Sequence, residues 1–263
     1  MTSGGRHLGL FFALTFTITW GVGGLWLLFP DPLNALLGPF AYGSPAYLLA
    51  ACAPSLVGFG LTFAEGRASL VALLRRLLPG TAVTLAVAVL ALPAIALTLS
   101  LAMPRGWPVK PDAVLVATPL LLLTTAQIVR NISPLGEEFG WRGYALPRML
   151  ERWSPLLAGT ILGLVWTLWH VPAFLFSGIV VTPLADIGWY ALGTTALSWL
   201  MTWLHVRGRG SLLVAGLIPH AVINAMGATG AWATRPAEAV ALAIFSLALF
   251  RFWPPMPKDQ ERA

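Results

Sequence analysis

Residues Ser133–Trp153 read SPLGEEFGWRGYALPRMLERW, with adjacent carboxylates at Glu137 and Glu138 and an arginine four positions later at Arg142. The surrounding chain of 263 residues is 57% hydrophobic and only 10% charged. A soluble globular chain carries about 25% charged residues. A deficit spread over the whole length describes a polytopic membrane protein, so the fold class expected is all-α with about eight transmembrane helices. Ionisable groups at membrane depth are costly and are functional candidates by default. The quoted acids therefore need partners elsewhere in the chain.

The apolar runs are 8–29, 45–64, 80–102, 113–133, 156–177, 184–205, 210–228 and 236–253. Backbone polar groups in lipid must be satisfied within the segment, which makes these runs helices. The first run lacks a small-residue cleavage site and reads as a retained helix rather than a signal peptide. Residues 1–253 form a single transmembrane domain on this reading, with 254–263 a polar cytoplasmic tail. Eight spans put both termini on one side. Of the sixteen Lys and Arg, only Arg105, Lys110 and Arg235 then fall on the other side. That asymmetry orients both termini to the cytoplasm. The basic residues sit in breaks between apolar runs and form no stripe, so nucleic acid is not a partner. Residues 67–78 (RASLVALLRRLL) suit a short amphipathic helix on the inner surface. The single cysteine, Cys52, excludes an internal disulfide and any CxxC metal knuckle. Trp20, Trp26, Trp189 and Trp253 fit an aromatic belt with core filling.

Three polar sets interrupt the greasy half. The first is Glu137-Glu138-x-x-x-Arg142, where Ser133-Pro134 reads as a helix start with Ser as cap. Glu138 and Arg142 are spaced to pair on one helix face, which leaves Glu137 to point elsewhere. The second is Trp166-x-x-x-His170. Glu137 lies 17 residues before Ser154 and His170 lies 16 after it, so an antiparallel hairpin brings both to one depth, about 25 Å from the turn at 1.5 Å per residue. The segment RGYALPRMLERW nearest the turn is expected to protrude into the cytoplasm, with Glu137 and His170 just inside the inner leaflet. The third is His220-x-x-x-Asn224, two residues on one helix face. His7 and His205 fall near span ends and read as interfacial.

Together these groups suit hydrolysis, which needs an activated water and a donor for the developing oxyanion. Glu137 with His170 can take the proton of the water, and His220 with Asn224 can hold the oxyanion. Alternatively Glu137, His170 and His220 surround a zinc with an open position. Glu138 then either supports the site through Arg142 or is itself the base. Metal and metal-free versions both stand at this stage. Other intramembrane protease chemistries lack their residues: there is no HExxH and no GxSG, and Asp31, Asp112, Asp186 and Asp259 lie at span ends or in the tail. Two non-hydrolytic readings compete. One is a scaffold or immunity protein that binds a peptide in the same cavity. The other is a small transporter, for which no repeated halves or broken midplane helices are seen.

EExxxR, then aromatic-xxx-His, then HxxxN, in that order over about residues 130–228, resembles the CPBP family. This family comprises type II CAAX prenyl endopeptidases and the lysostaphin-resistance-like and abortive-infection-like proteins. The resemblance implies an eight-helix intramembrane endopeptidase with a cavity open to the cytoplasmic leaflet. Glu137 and His170 would act on the water, His220 and Asn224 on the oxyanion or a metal, and Glu138 and Arg142 match the remaining motif positions. Trp166 stands where the family often has Phe, which keeps an aromatic wall. The preference for Arg over Lys reads as bacterial, placing the protein in a bacterial cytoplasmic membrane with a membrane-proximal peptide or leader as substrate rather than a prenylated protein.

Overall fold

Chain breaks in the sequence carry their own helix signals, and these set the elements. The computed structural model describes residues 3–103, 132–176, 179, 183–228, 230–232 and 235–254. Helix α1 spans Ser3–Leu28 and a short α2 spans Pro30–Leu37, with Pro30 in its first turn. Helix α3 (Pro45–Ala64) begins where the Ser44 hydroxyl accepts the Tyr47 N–H at 3.2 Å. Such caps satisfy one of the orphan donors of a first turn. Helix α4 covers Arg67–Arg75, and α5 (Ala82–Ala102) opens on a reciprocal Thr81–Thr84 capping box. The expected fourth run, 113–133, falls almost wholly outside the described residues.

The quoted stretch is one continuous helix of three parts: α6 (Ser133–Glu138), a π-helical turn at Phe139–Ala145, and α7 (Leu146–Leu150). Next come α8 (Pro155–His170, capped by Ser154), a 3₁₀ turn at Val171–Leu175, and α9 (Ile187–Arg207). A second π turn at Leu213–Leu217 leads into α10 (Ile218–Ala228), and α11 runs over Pro236–Phe252. No strand occurs among the described residues. Among the described residues, four segments are long and apolar enough to cross a membrane: His7–Leu28, Pro45–Ala64, Ala82–Ala102 and Pro155–Leu175. The runs at 184–205, 210–228 and 236–253 are helical too, but by length and hydropathy they do not add to that four among the described residues. The expected count of eight is thus supported only as an all-helical, membrane-spanning architecture.

Outward faces of these helices stay apolar: Leu25, Phe63, Leu101, Leu164, Leu168 and Ile244 are all exposed. In water such surface would be a liability, whereas against lipid it is the matched solvent. Inside, α1 packs on α3, and α9 packs on both α8 and α11. The first part of the segment expected to protrude is buried among the helices, while Glu151 and Arg152 near its end are exposed. Trp141, Arg142, Tyr144, Leu146 and Met149 are at most 1% exposed and form the centre of the core. The reason is aromatic packing: Phe11 of α1 meets the Trp141 ring edge-on at 5.5 Å and stacks on Tyr144 at 5.2 Å. Close approach to α3 needs Gly140, where any Cβ would collide with the Pro54 carbonyl.

Two arginines serve the wide π turn from outside. Arg76 donates to the Gly143 carbonyl at 3.0 Å, and Arg148 donates to the Tyr144 carbonyl at 2.9 Å. Arg148 also pairs with both oxygens of Glu65 at 2.6 and 2.7 Å and lies over the Tyr144 ring. Nearby, Ser211 donates to the Leu78 carbonyl, Trp203 donates to the Trp253 carbonyl, and Arg207 lies over the Trp253 ring. These contacts knit one end of the bundle, which gathers Arg67, Arg75, Arg76, Arg148, Arg152, Arg207, Arg209 and Arg251. The amphipathic helix expected at 67–78 is α4, shortened to Arg67–Arg75, with Leu73 as its buried residue. His205, read from sequence as interfacial, is buried at 7% exposure, and Trp26, read as belt or core, is buried as well.

Candidate active site

At the opposite end from the arginine rim, a cavity of about 450 Å³ opens between α1, α3, α6, α8, α9 and α10. Glu137, His170, His220 and Asn224 all line it, together with Trp166. The three polar sets therefore converge, although they come from helices separated by 33 to 87 positions in the chain.

Glu137 is 2% exposed, and its carboxylate is held on both oxygens. Oε2 accepts the Trp166 indole N–H at 2.7 Å, and Oε1 accepts the Ser133 hydroxyl at 3.1 Å. Ser133 was expected to cap the helix. Instead Ile132 already has helical dihedrals, and the Ser133 side chain, one turn before Glu137, turns to the acid. Trp166 thus supplies a hydrogen bond and not merely an aromatic wall. Its carbonyl also takes part, because His170 Nδ1 lies 2.8 Å from Trp166 O. A carbonyl only accepts, so Nδ1 carries the proton and the neutral ring keeps its lone pair on Nε2. One residue, Trp166, consequently anchors both the acid and the imidazole that the sequence paired by depth.

Glu138 does not line the cavity. It is fully buried behind His220, and its Oε1 receives both Arg142 Nη1 at 3.0 Å and His220 Nδ1 at 2.7 Å. The i,i+4 pair read from sequence is present, with both members at 0% exposure. The Arg142 guanidinium lies 4.2 Å over the Trp166 ring, a cation–π contact that closes the circle. With Nδ1 committed to Glu138, His220 turns Nε2 toward Glu137 Oε1, 3.9 Å away. Glu138 Oε2 has no hydrogen-bond partner among the described residues. It lies over Gly216 of the second π turn, where a Cβ would come within 2.9 Å of Oε2. The two π turns thus meet at Glu138, an arrangement often found near functional sites.

Zinc was one sequence expectation for Glu137, His170 and His220. Among the described residues no three His, Cys, Asp or Glu side chains form a group that could hold a metal ion. In this arrangement Glu137 accepts from Trp166 and Ser133, and His170 and His220 each engage Nδ1 and leave Nε2 open.

Several contributors were not singled out from sequence. Trp169 donates to the Thr19 hydroxyl at 2.8 Å, Thr19 donates to the Ala50 carbonyl, and both Trp169 and Tyr190 present rings to His170 at 4.7 and 5.6 Å. Ser133 was read from sequence only as a cap, and its place one helical turn before Glu137 could have shown it as a partner of the acid. Thr19 and Tyr190 come from distant helices and leave no local signal.

Residues 118–226 match the family described as type II CAAX prenyl endopeptidase Rce1-like. Part of that match, 118–131, lies outside the described residues. The chain is also similar to CAAX prenyl protease 2 of Methanococcus maripaludis, 31% identical over 93 residues, which is 34% of this chain and 34% of the relative. The alignment thus spans about a third of that relative's length.

Proposed function

We propose, for a chain whose residues 118–226 belong to the type II CAAX prenyl endopeptidase (Rce1-like) family, that the cavity is the active site of an intramembrane endopeptidase. The observation that carries this is the convergence of Glu137, His170, His220 and Asn224 on one cavity, with Glu137 and His220 3.9 Å apart. The substrate class is a membrane-associated polypeptide, and the setting is a bacterial cytoplasmic membrane.

The chemistry follows from the donors. A water held between Glu137 and the free Nε2 of His170 gives up a proton to the Glu137 carboxylate as its oxygen attacks the peptide carbonyl. Trp166 and Ser133 fix the carboxylate so that it need not reorganise during the step. The carbonyl π pair moves onto oxygen, and the resulting oxyanion is held by the Asn224 amide N–H and faces the His220 ring. Glu138, through Nδ1, fixes the plane of that ring. On collapse the C–N bond breaks, and the proton taken from the water passes to the departing amine.

Purified protein or membranes, supplied with a lipid-anchored reporter peptide, test this reading. Glu137→Ala, His170→Ala and His220→Ala should each abolish cleavage while the variants insert and remain folded. Full activity in any of them removes the assignment. A binding-only protein would keep its phenotype in Glu137→Gln.

A further inference from the structure

We propose that Thr19, on α1, is a positioning residue for the reaction: it holds the Trp169 indole and, through it, the plane of the His170 imidazole. Its part in turnover rests on the endopeptidase reading above, whereas the positioning itself rests on side-chain contacts alone. Helix α1 (Ser3–Leu28) lies outside residues 118–226, so this contribution comes from a part of the chain that the family match does not cover.

A side chain at the end of a helix is the one least held by its own segment. His170 is the last residue of α8, and Pro172, two positions later, has no N–H with which to continue the helix. The Val171 N–H takes the Leu168 carbonyl instead. Within its own helix the imidazole is held by one bond, between Nδ1 and the Trp166 carbonyl. The rest of its orientation comes from neighbouring rings. Trp169 meets it edge to face at 4.7 Å and 82°, and Tyr190 meets it at 5.6 Å and 71°. Trp169 is the nearer of the two, so the place of its indole sets how the imidazole can turn.

Thr19 fixes that place. Both residues are buried, and the indole N–H, which can only donate, gives its proton to Thr19 Oγ1 at 2.8 Å. The single hydroxyl proton of Thr19 goes on to the Ala50 carbonyl at 2.8 Å. The direction of the hydroxyl is thereby set, and a lone pair is left for the indole. Valine at this position would match the shape of threonine but strand a buried indole N–H, which is costly enough to turn the ring. Gly23, four residues along the same face of α1, adds a second contact. A Cβ there would come within 3.3 Å of the Pro172 Cβ and 3.7 Å of the Phe176 ring, so α1 also fits closely against the turn that follows His170. Helix α1 thus docks on the chain just before and just after the imidazole, at Trp169 and at Pro172.

Two readouts on the purified full chain in detergent test this. In the reporter cleavage assay, Thr19→Val should lower kcat about 10- to 100-fold with KM little changed, as for a misplaced catalytic group. Thr19→Ser, which restores the hydroxyl, should recover most of that loss. Trp169→Phe removes the same bond from its other end and should give a similar loss, and the double variant should be little worse than either single one. It also carries the test if Thr19→Val fails to fold. The second readout is NMR of nitrogen-labelled histidine at alkaline pH, with the His170 signals identified by their loss in His170→Gln. The unsubstituted protein should show a protonated Nδ1 and a bare Nε2 for His170, and Thr19→Val should move both toward the average of the two tautomers. An unchanged kcat, a loss that Thr19→Ser shares in full, or unmoved His170 signals overturns the proposal. The spectra need no turnover: signals that move in a protein that cleaves no reporter leave the positioning in place and remove the endopeptidase reading.

Discussion

Trp166 donates its indole N–H to Glu137 Oε2 at 2.7 Å, from a helix 29 positions further along the chain. A phenylalanine at this place would have no donor to offer. A hydrogen bond to a charged group contributes about 1.5–3 kcal/mol, which corresponds to about 10- to 100-fold in rate when the charge is the reacting group. Trp166→Phe should therefore lower kcat by that range with little change in KM. Steady-state cleavage of a reporter peptide checks this, and an unchanged kcat would make the contact incidental.

Gly216 lies under the Glu138 oxygen that has no hydrogen-bond partner among the described residues. In Gly216→Ala the new Cβ would be 2.9 Å from Oε2, closer than real Cβ contacts come, and 3.1 Å from the Glu138 Cβ, tighter than most. The carboxylate must shift, and His220 Nδ1 must follow it. The expected result is a loss of activity of at least about 10-fold, as for a misplaced catalytic group, in a protein that still folds. Rates and thermal unfolding in detergent, measured together, separate this from general destabilisation.

The Glu138–Arg142 pair is fully buried, and breaking it from either side leaves a charge without its partner. Glu138→Ala and Arg142→Ala should each destabilise the fold by about 3–5 kcal/mol. The double variant should cost clearly less than the sum of the two, because neither charge is then stranded. A double-mutant cycle by reversible unfolding in mixed micelles is the measurement. Additive losses would show that the two side chains act independently.

Glu137, His170 and His220 form no three-ligand group, so activity should survive dialysis against 1,10-phenanthroline or EDTA, and added zinc should not raise it. Loss on chelation with recovery on zinc would require a rearranged donor set.

Local sequence determined a good deal. The scarcity of charge made the chain an all-helical membrane protein, and Ser-Pro and Thr breaks at Ser44, Thr81 and Ser154 placed the helix starts. Spacing alone paired Glu138 with Arg142 and set His220 and Asn224 on one face. Both rest on the 3.6-residue period of a helix, a property any window of sequence carries. Tertiary structure decided the rest: that the charged stretch 141–149 is core, that Ser133 serves Glu137, that Trp166 anchors both acid and imidazole, and that Glu138 lies behind the cavity holding His220. These depend on how helices rotate and approach one another, and that is set by aromatic packing on Phe11 and by missing Cβ atoms at Gly140 and Gly216. A helix of given sequence can turn any face inward until its neighbours are in place, so no single stretch of the chain encodes which one it will be.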